Sequence, residues 1–371
     1  VPAVYDVAEL KQFVELHARA HGIAPKVYRE VLEGVRTDAG DGPDSWVGRW
    51  RVGGDRLAAA GNHAGAAAFY NMARFPCVDG PARAEALARC VASFERSLQD
   101  RDGIERLDVQ VDGGTIGCWT AGLSTSRQLP LLLVMGGIVS LKEQWAPALR
   151  RIGALGMAGI VTEMPGVGEN PLRYGPDSWR MLPAVLDAVR DRADVDHTYA
   201  MTMSFSGHLA LRCALDDSRI RGIVTAGAPI HHFFTDPVWR PRVPRITMDT
   251  LAHLTGCTPA ALDDLLPTMA LSGEHLTGVD VPVAYVVSNR DEIIPASDVD
   301  FLRRHVRQVR LLTNDDVHGS PNHLPETQLW IILSILRMRG RGSPQRTALT
   351  GLMHAARARR RVEHLLPGNR R

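Results

Sequence analysis

The chain is short of cysteine and shows no pattern in the little it has. Cys77, Cys90, Cys118, Cys213 and Cys257 are an odd number, scattered over 371 residues without a Cys-x-x-Cys pair. That spacing argues against a disulfide framework and a zinc site, and it fits a reducing compartment, so a cytoplasmic protein without a metal is expected. Long apolar runs are missing too. The longest fall well short of the roughly 20 residues that span a bilayer, so no membrane segment is expected. The first residues, Val-Pro-Ala-Val-Tyr-Asp, lack the basic start and apolar stretch of a signal peptide.

A strong charge of one sign is also absent from the chain as a whole, although its distribution is uneven. The formal net charge is +2, but residues 337–371 hold ten arginines and one acid, a balance of +9 that leaves −7 for the rest. An acidic body does not suit nucleic acid as the main partner. The basic stretch, densest at Arg357, Arg359, Arg360 and Arg361, reads first as a solvated tail. Its alternative is a contact for RNA, an acidic partner or another subunit, which keeps a homodimer within the expectation. What remains is a soluble globular composition, 45% hydrophobic and 23% charged. The length suits one large α/β domain with an appendage, or two domains.

The most informative segment is Thr202-Met203-Ser204-Phe205-Ser206-Gly207, between an apolar run at 197–203 and a helical run at 205–215. A serine between a strand and a helix is pushed out on a tight turn with the helix N-terminus beneath it, as in the G-x-S-x-G nucleophile elbow. Thr202 and Ser206 stand where the glycines would be, and both are small. Ser206 is the rival nucleophile, but His208 would then take a glycine position and crowd the turn. Ser204 is favoured. Taken alone, the segment is equally a small-residue turn made for packing.

From about residue 6 to 100 the apolar spacing is helical, with a small-residue run from Ala58 to Ala73 suited to close-packed helices and Asp55 as a candidate cap. Near 106 the texture changes. Runs at 107–111 and 115–120 alternate around Asp-Gly-Gly, a hairpin signal. Apolar runs then alternate with helical stretches: 129–135 with 142–155, 159–164 with 178–191, and 199–203 with the helix after Ser204. Runs at 220–226, 281–288 and 309–313 continue the series, with helices at 296–306 and 326–338. Such alternation predicts a mostly parallel sheet covered on both faces and led by an antiparallel hairpin. Residues 1–105 therefore read as a helical lid region, 106–340 as an α/β core and 341–371 as a basic tail. An insertion at about 231–278, rich in aromatics and proline with short helices from Thr247 and Pro259, interrupts the core as a second lid element.

A serine nucleophile needs a base to take its proton and an acid to orient that base. After an elbow of this type the acid and then the histidine follow in chain order. The run 281–288 leads into Asn289-Arg290-Asp291-Glu292, and the last strand leads into Asp315-Asp316-Val317-His318-Gly319. Asp291 is preferred over Glu292 because it comes first after the strand, and His318 over His323 because it stands where the base is required. Asp315 and Asp316 are expected to cap or polarise the loop. Oxyanion donors are expected from the Phe205 N–H and from Met135-Gly136-Gly137-Ile138, with Gly137 the preferred donor. His231, His232 and Asp236 are candidates to face a substrate, or else lid-packing residues.

With these residues in place, the chain resembles the α/β-hydrolase superfamily. Within it the likeness is to the branch that includes FrsA-like proteins, pseudooxynicotine C–C hydrolases and fungal polyketide chain-shortening hydrolases. The matching stretches are 134–143, 164–169, 204–212, 291–295, the His318 loop and the small-residue helices around 55–76. The resemblance implies a Ser-Asp-His hydrolase, using no cofactor, whose small-molecule substrate lies between a helical lid and the core. Branch members cut C–C bonds in diketones, shorten polyketides or cleave esters. The expectation is therefore cleavage of an ester or an activated C–C bond in an apolar, polyketide-like molecule of secondary metabolism. Two alternatives stand beside it. One is a lyase that uses His318 to eliminate an acyloxy group such as acetate, and the other a non-catalytic binding module.

Overall fold

The computed structural model describes residues 5–99, 102–340, 347 and 349–353. The densest part of the basic tail, at 357–361, lies outside the described residues.

Five helices come first: α1 (Val7–Ala20), α2 (Pro25–Glu33), α3 (Trp46–Ala59), α4 (His63–Arg74) and α5 (Pro81–Ser97). Their starts are set by local chemistry. Asp6 accepts from the N–H groups of Ala8 and Glu9, Ser45 caps α3 and Asn62 caps α4, while α2 and α5 each open on a proline whose missing N–H has no partner to lose there. Asp55 is not a cap. It falls inside α3, where its carboxylate accepts from the Tyr70 hydroxyl at 2.7 Å and from Arg89 at 2.7 Å. The hydroxyl and guanidinium offered by the next two helices make a better partnership than a helix start.

Helix α4 explains the alanine run. Ala66, Ala67 and Tyr70 join the core beneath the sheet, whereas Ala68, Phe69, Met72 and Ala73 join a separate core within the helical region. A helix buried on both sides must be thin, and alanine makes it so.

Eight strands follow: β1 (Ile104–Val111), β2 (Gly114–Ala121), β3 (Pro130–Met135), β4 (Ala158–Thr162), β5 (Asp194–Thr202), β6 (Ile220–Ala226), β7 (Val283–Ser288) and β8 (Val309–Asn314). They form one sheet in the order β1-β2-β4-β3-β5-β6-β7-β8. The β1–β2 and β2–β4 pairs are antiparallel and every other pair is parallel. This is the expected mostly parallel sheet with a leading hairpin. Helices were less regular than their spacing suggested. The stretch 142–155 is one α-turn, Lys142–Trp145, followed by a 3-10 helix, Ala146–Leu155, because Pro147 has no N–H for the α ladder. The insertion carries the helices Arg245–Thr255 and Pro259–Leu265. Among the described residues no helix is long and apolar enough to cross a membrane.

Register fixes where chemistry can occur. Met135 lies opposite Thr202, Met201 opposite Val224 and Ser288 opposite Asn314, so the carboxyl ends of β3, β5, β6, β7 and β8 lie on one side of the sheet. Ligand sites of open α/β sheets form at such ends.

Because Ala66 is fully buried between α4 and its neighbours, Ala66→Leu is expected to destabilise the protein by about 1–3 kcal/mol through overpacking. A lower midpoint in urea unfolding checks this.

Candidate active site

Ser204 stands one residue beyond β5 and precedes the helix Phe205–Asp216, with φ 56° and ψ −129°. Its N–H donates to the Ala226 carbonyl at 2.8 Å, which ties the turn to β6. The Ser206 hydroxyl, fully buried, donates toward the carbonyls of Met135 and Met203, each at 2.9 Å. Ser206 therefore braces the elbow, and its hydroxyl is committed to backbone. Thr202, at the other glycine position, is buried as the last residue of β5.

Ser204 Oγ lies 3.0 Å from His318 Nε2, and His318 Nδ1 lies 3.0 and 2.9 Å from the two Asp291 oxygens. With Nδ1–H donating to the carboxylate, Nε2 is left as the acceptor for the serine proton. Asp291 is aimed in turn by the N–H groups of Ile293 and Ile294, which donate to Oδ1 at 2.9 and 2.8 Å. Glu292 does something the sequence did not suggest, since its carboxylate accepts from the His318 backbone N–H at 3.0 Å. The two acids thus divide one task, Asp291 orienting the ring and Glu292 the backbone. Burial acts to lower the His318 pKa, but the negative charges of Asp291 and Glu292 outweigh it and the pKa is raised.

Gly227 is the other residue that sequence reading passed over. It has φ +59°, and a Cβ there would meet His318 Cε1 at 2.6 Å and Nδ1 at 2.9 Å. The turn after β6 must therefore be both left-handed and bare. The Ala-Gly-Ala at the end of an apolar run was the available signal.

Gly137 lies against the serine, and a Cβ on it would come within 3.0 Å of Ser204 Cβ. Phe205 opens the helix, so its N–H has no acceptor within it. Both residues adjoin the nucleophile, Gly137 from the loop after β3 and Phe205 as its neighbour in the chain. The Gly137 loop is held from behind by charge. Arg74, at the end of α4, donates to the Val139 carbonyl at 2.9 Å. Lys142 lies 2.9 Å from Glu143, 3.4 Å from Glu163 and 2.6 Å from Glu169.

The serine and the imidazole open into a cavity of about 1250 Å³. Its walls include Leu132, Val134, Ile138, Met203 and Ile293 from the core, and Phe13, Leu16 and His17 from α1. Ile246 and Thr250 of the insertion also line it, so the helical region and the insertion both contribute to its walls.

Three candidates do not reach it. The N–H groups of His231 and His232 donate to Asp298, the His231 ring stacks on Phe301 at 4.5 Å, and Asp236 caps the turn to Val238 and Trp239. None of the three lines the cavity, because Asp298 holds this segment against the helix Ala296–His305 instead. His323 pairs with Asp316 at 2.8 Å. Asp316 also accepts from the N–H groups of Val317 and Asn322, so this pair braces the loop that carries His318. Among the described residues no cluster of His, Cys, Asp and Glu is grouped to hold a metal ion.

The chain matches the family "Esterase FrsA-like" over residues 52–299. It belongs to that family. Esterase FrsA of Photobacterium profundum is 25% identical over 329 residues, which cover 81% of this chain and 78% of that one. A solved structure of AbyA5 is 51% identical and superposes with a TM-score of 0.91 over 95% of this chain and 100% of that one. The fold alone is shared with 2,6-dihydroxy-pseudo-oxynicotine hydrolase, at 18% identity and a TM-score of 0.68 over 85% of this chain and 94% of that one. The protein is a hydrolase of the α/β-hydrolase fold, in the branch its sequence resembles.

Two substitutions test the geometry. Gly227→Ala is expected to displace the His318 ring and cut kcat by a factor on the order of 10², with KM little changed, in steady-state assays on a short 4-nitrophenyl ester. Glu292→Gln keeps an acceptor for the His318 amide but removes a charge that favours the imidazolium. With the His318 pKa raised by these charges, the acid limb of kcat/KM is expected on the high side of the ordinary imidazole range in the native enzyme, and the substitution is expected to move that limb to lower pH. A pH–rate profile of the two proteins decides it.

Proposed function

We propose that Ser204, activated by His318 and oriented through Asp291, attacks the carbonyl of an ester or of an activated β-diketone in an apolar, polyketide-like small molecule of secondary metabolism. The observation that carries this reading is a complete hydrogen-bonded relay opening on a large, mostly apolar cavity. His318 Nε2 takes the hydroxyl proton as Oγ bonds to the carbonyl carbon, and the negative oxygen is held by the N–H groups of Phe205 and Gly137. The protonated imidazole then gives its proton to the departing alkoxide or carbanion. Water, deprotonated by the same ring, releases the acyl group from the serine.

A second reading is favoured by one observation. His318 itself lines the cavity beside Ser204, so its Nε2 is open to a substrate carbon as well as to the hydroxyl. The ring could remove a proton next to a carbonyl while a C–O bond breaks, which expels a carboxylate and leaves an alkene. Mostly apolar walls suit this route.

Ser204→Ala is expected to lower turnover of a 4-nitrophenyl ester by a factor on the order of 10⁴ or more, and the native serine should be labelled by a fluorophosphonate probe. Unchanged turnover in the variant sinks the covalent route. With the natural substrate in H₂¹⁸O, hydrolysis places label in the released acid, whereas elimination releases unlabelled carboxylate and an alkene. A serine that resists the probe in a protein that still binds the ligand marks a binding module.

A further inference from the structure

A second imidazole lines the same cavity and has no part in the relay. His17 projects from the last turn of α1, with its ring 5.4 Å from that of Phe75. It stands near enough to His318 for the charges of the two rings to interact. Its Nδ1 lies 3.4 Å from Gln144 Oε1. An amide oxygen accepts, so Nδ1 carries the proton and Nε2 is left with its lone pair. Nε2 has no hydrogen-bond partner among the described residues.

The surroundings keep this ring neutral. Burial and the positive charge of Arg74 lower its pKa to about 4, although the contact with Gln144 opposes them. His318 is shifted the other way. Two imidazoles in one cavity with pKa values pushed apart have different tasks, and a ring this reluctant to take a proton is a poor base. Three other polar groups on the walls are already engaged. The Thr250 hydroxyl donates to the Ile246 carbonyl at 2.7 Å, Asn322 donates to Asp316, and Glu292 accepts from the His318 amide. The ring is also well anchored. Glu9 of α1 accepts from the N–H groups of Arg245 and Ile246 at 3.2 and 2.8 Å, and Arg19 lies 3.4 Å from Asn322.

We propose that His17 is a specificity-determining hydrogen-bond acceptor, and that the acyl substrate carries a hydroxyl or enol O–H that donates to His17 Nε2 while its carbonyl lies at Ser204. This deepens the function proposed above and rests on it for the acyl group. A half-buried acceptor facing a mostly apolar cavity discriminates by what it loses, because a substrate that fills the cavity without the O–H shields the nitrogen from water and leaves it unpaired.

The test uses a panel of 4-nitrophenyl acyl esters, each beside counterparts bearing one hydroxyl at successive chain positions. The native enzyme is expected to prefer at least one hydroxylated member over its parent by about tenfold in kcat/KM. His17→Phe, close in shape, should erase that preference through a higher KM for the hydroxylated member. His17→Gln, which keeps an acceptor, should restore most of it. No preference in the native enzyme, or a preference that survives in His17→Phe, overturns the proposal. Binding of the same pairs to Ser204→Ala separates this idea from the serine reading. A hydroxyl preference seen calorimetrically in Ser204→Ala and lost in the Ser204→Ala, His17→Phe double variant upholds His17 even if the native serine proves unreactive, and equal binding of each pair to both proteins overturns it.

Discussion

The conformation of Ser204 is the constraint around which the site is arranged. A non-glycine residue at φ 56° and ψ −129° costs of order 1–3 kcal/mol and persists only where its neighbours over-determine it. Here they act from both sides. The N–H groups of Met203 and Ser204 donate to the carbonyls of Met135 and Ala226, at 2.9 and 2.8 Å, so β3 and β6 grip the turn just beyond the sheet ladder. The Ser206 hydroxyl then reaches back to the Met135 and Met203 carbonyls, and Gly207 N–H closes on the Ser204 carbonyl at 2.8 Å. A serine at the second glycine position is therefore no defect, since it supplies a hydrogen bond that glycine could not. Once Oγ is fixed relative to β6, the imidazole from the β8 loop has one place to meet it, and Gly227 is the gap that lets the ring in.

A second constraint lies behind the Gly137 loop. Lys142, Arg74 and Arg106 face Glu143, Glu163 and Glu169, three cations against three carboxylates, and Lys142, Arg74, Glu143 and Glu163 are nearly or fully buried. Glu163 accepts from the backbone N–H groups of Lys142 and Glu169 at 3.1 and 3.0 Å, so one carboxylate fastens the loop after β3 to the loop after β4. Burial raises its pKa against the pull of Lys142. Removing one member of such a set strands charge in the interior and costs about 3–5 kcal/mol. The loop that carries Gly137 is thus held by electrostatics as much as by packing.

What was legible in the sequence was what repeats locally. Alternating apolar runs gave the strands, and chain order after the elbow pointed to Asp291 and His318, because both sit at strand ends that a parallel sheet must bring together. Asp55 and the trio His231, His232 and Asp236 were misplaced for one reason. Each lies near a feature that made a role plausible, but its partner comes from distant sequence, Tyr70 and Arg89 in the first case and Asp298 in the second. Glu292 and Gly227 were missed because their tasks, holding a backbone N–H and leaving room for a ring, have no spacing that a linear pattern could show. His17 was invisible because only tertiary folding lays α1 over the β3, β5 and β8 loops.

That placement of α1 and α4 bears on how the helical region and the core divide the work. Arg74 ends α4 yet holds the Val139 carbonyl in the Gly137 loop, and burial lowers its guanidinium pKa to about 10. A cation so deeply buried depends on the Glu163 and Glu143 charges of the core for compensation, so α4 cannot leave without exposing an uncompensated carboxylate cluster behind Gly137. The helical region therefore holds the Gly137 loop as well as lining the cavity. Through α1 the same region presents His17 to whatever lies at Ser204. Ser204 and His318 come from the core, but the Gly137 loop beside them and the His17 ring in the same cavity are both held by helices that precede the first strand.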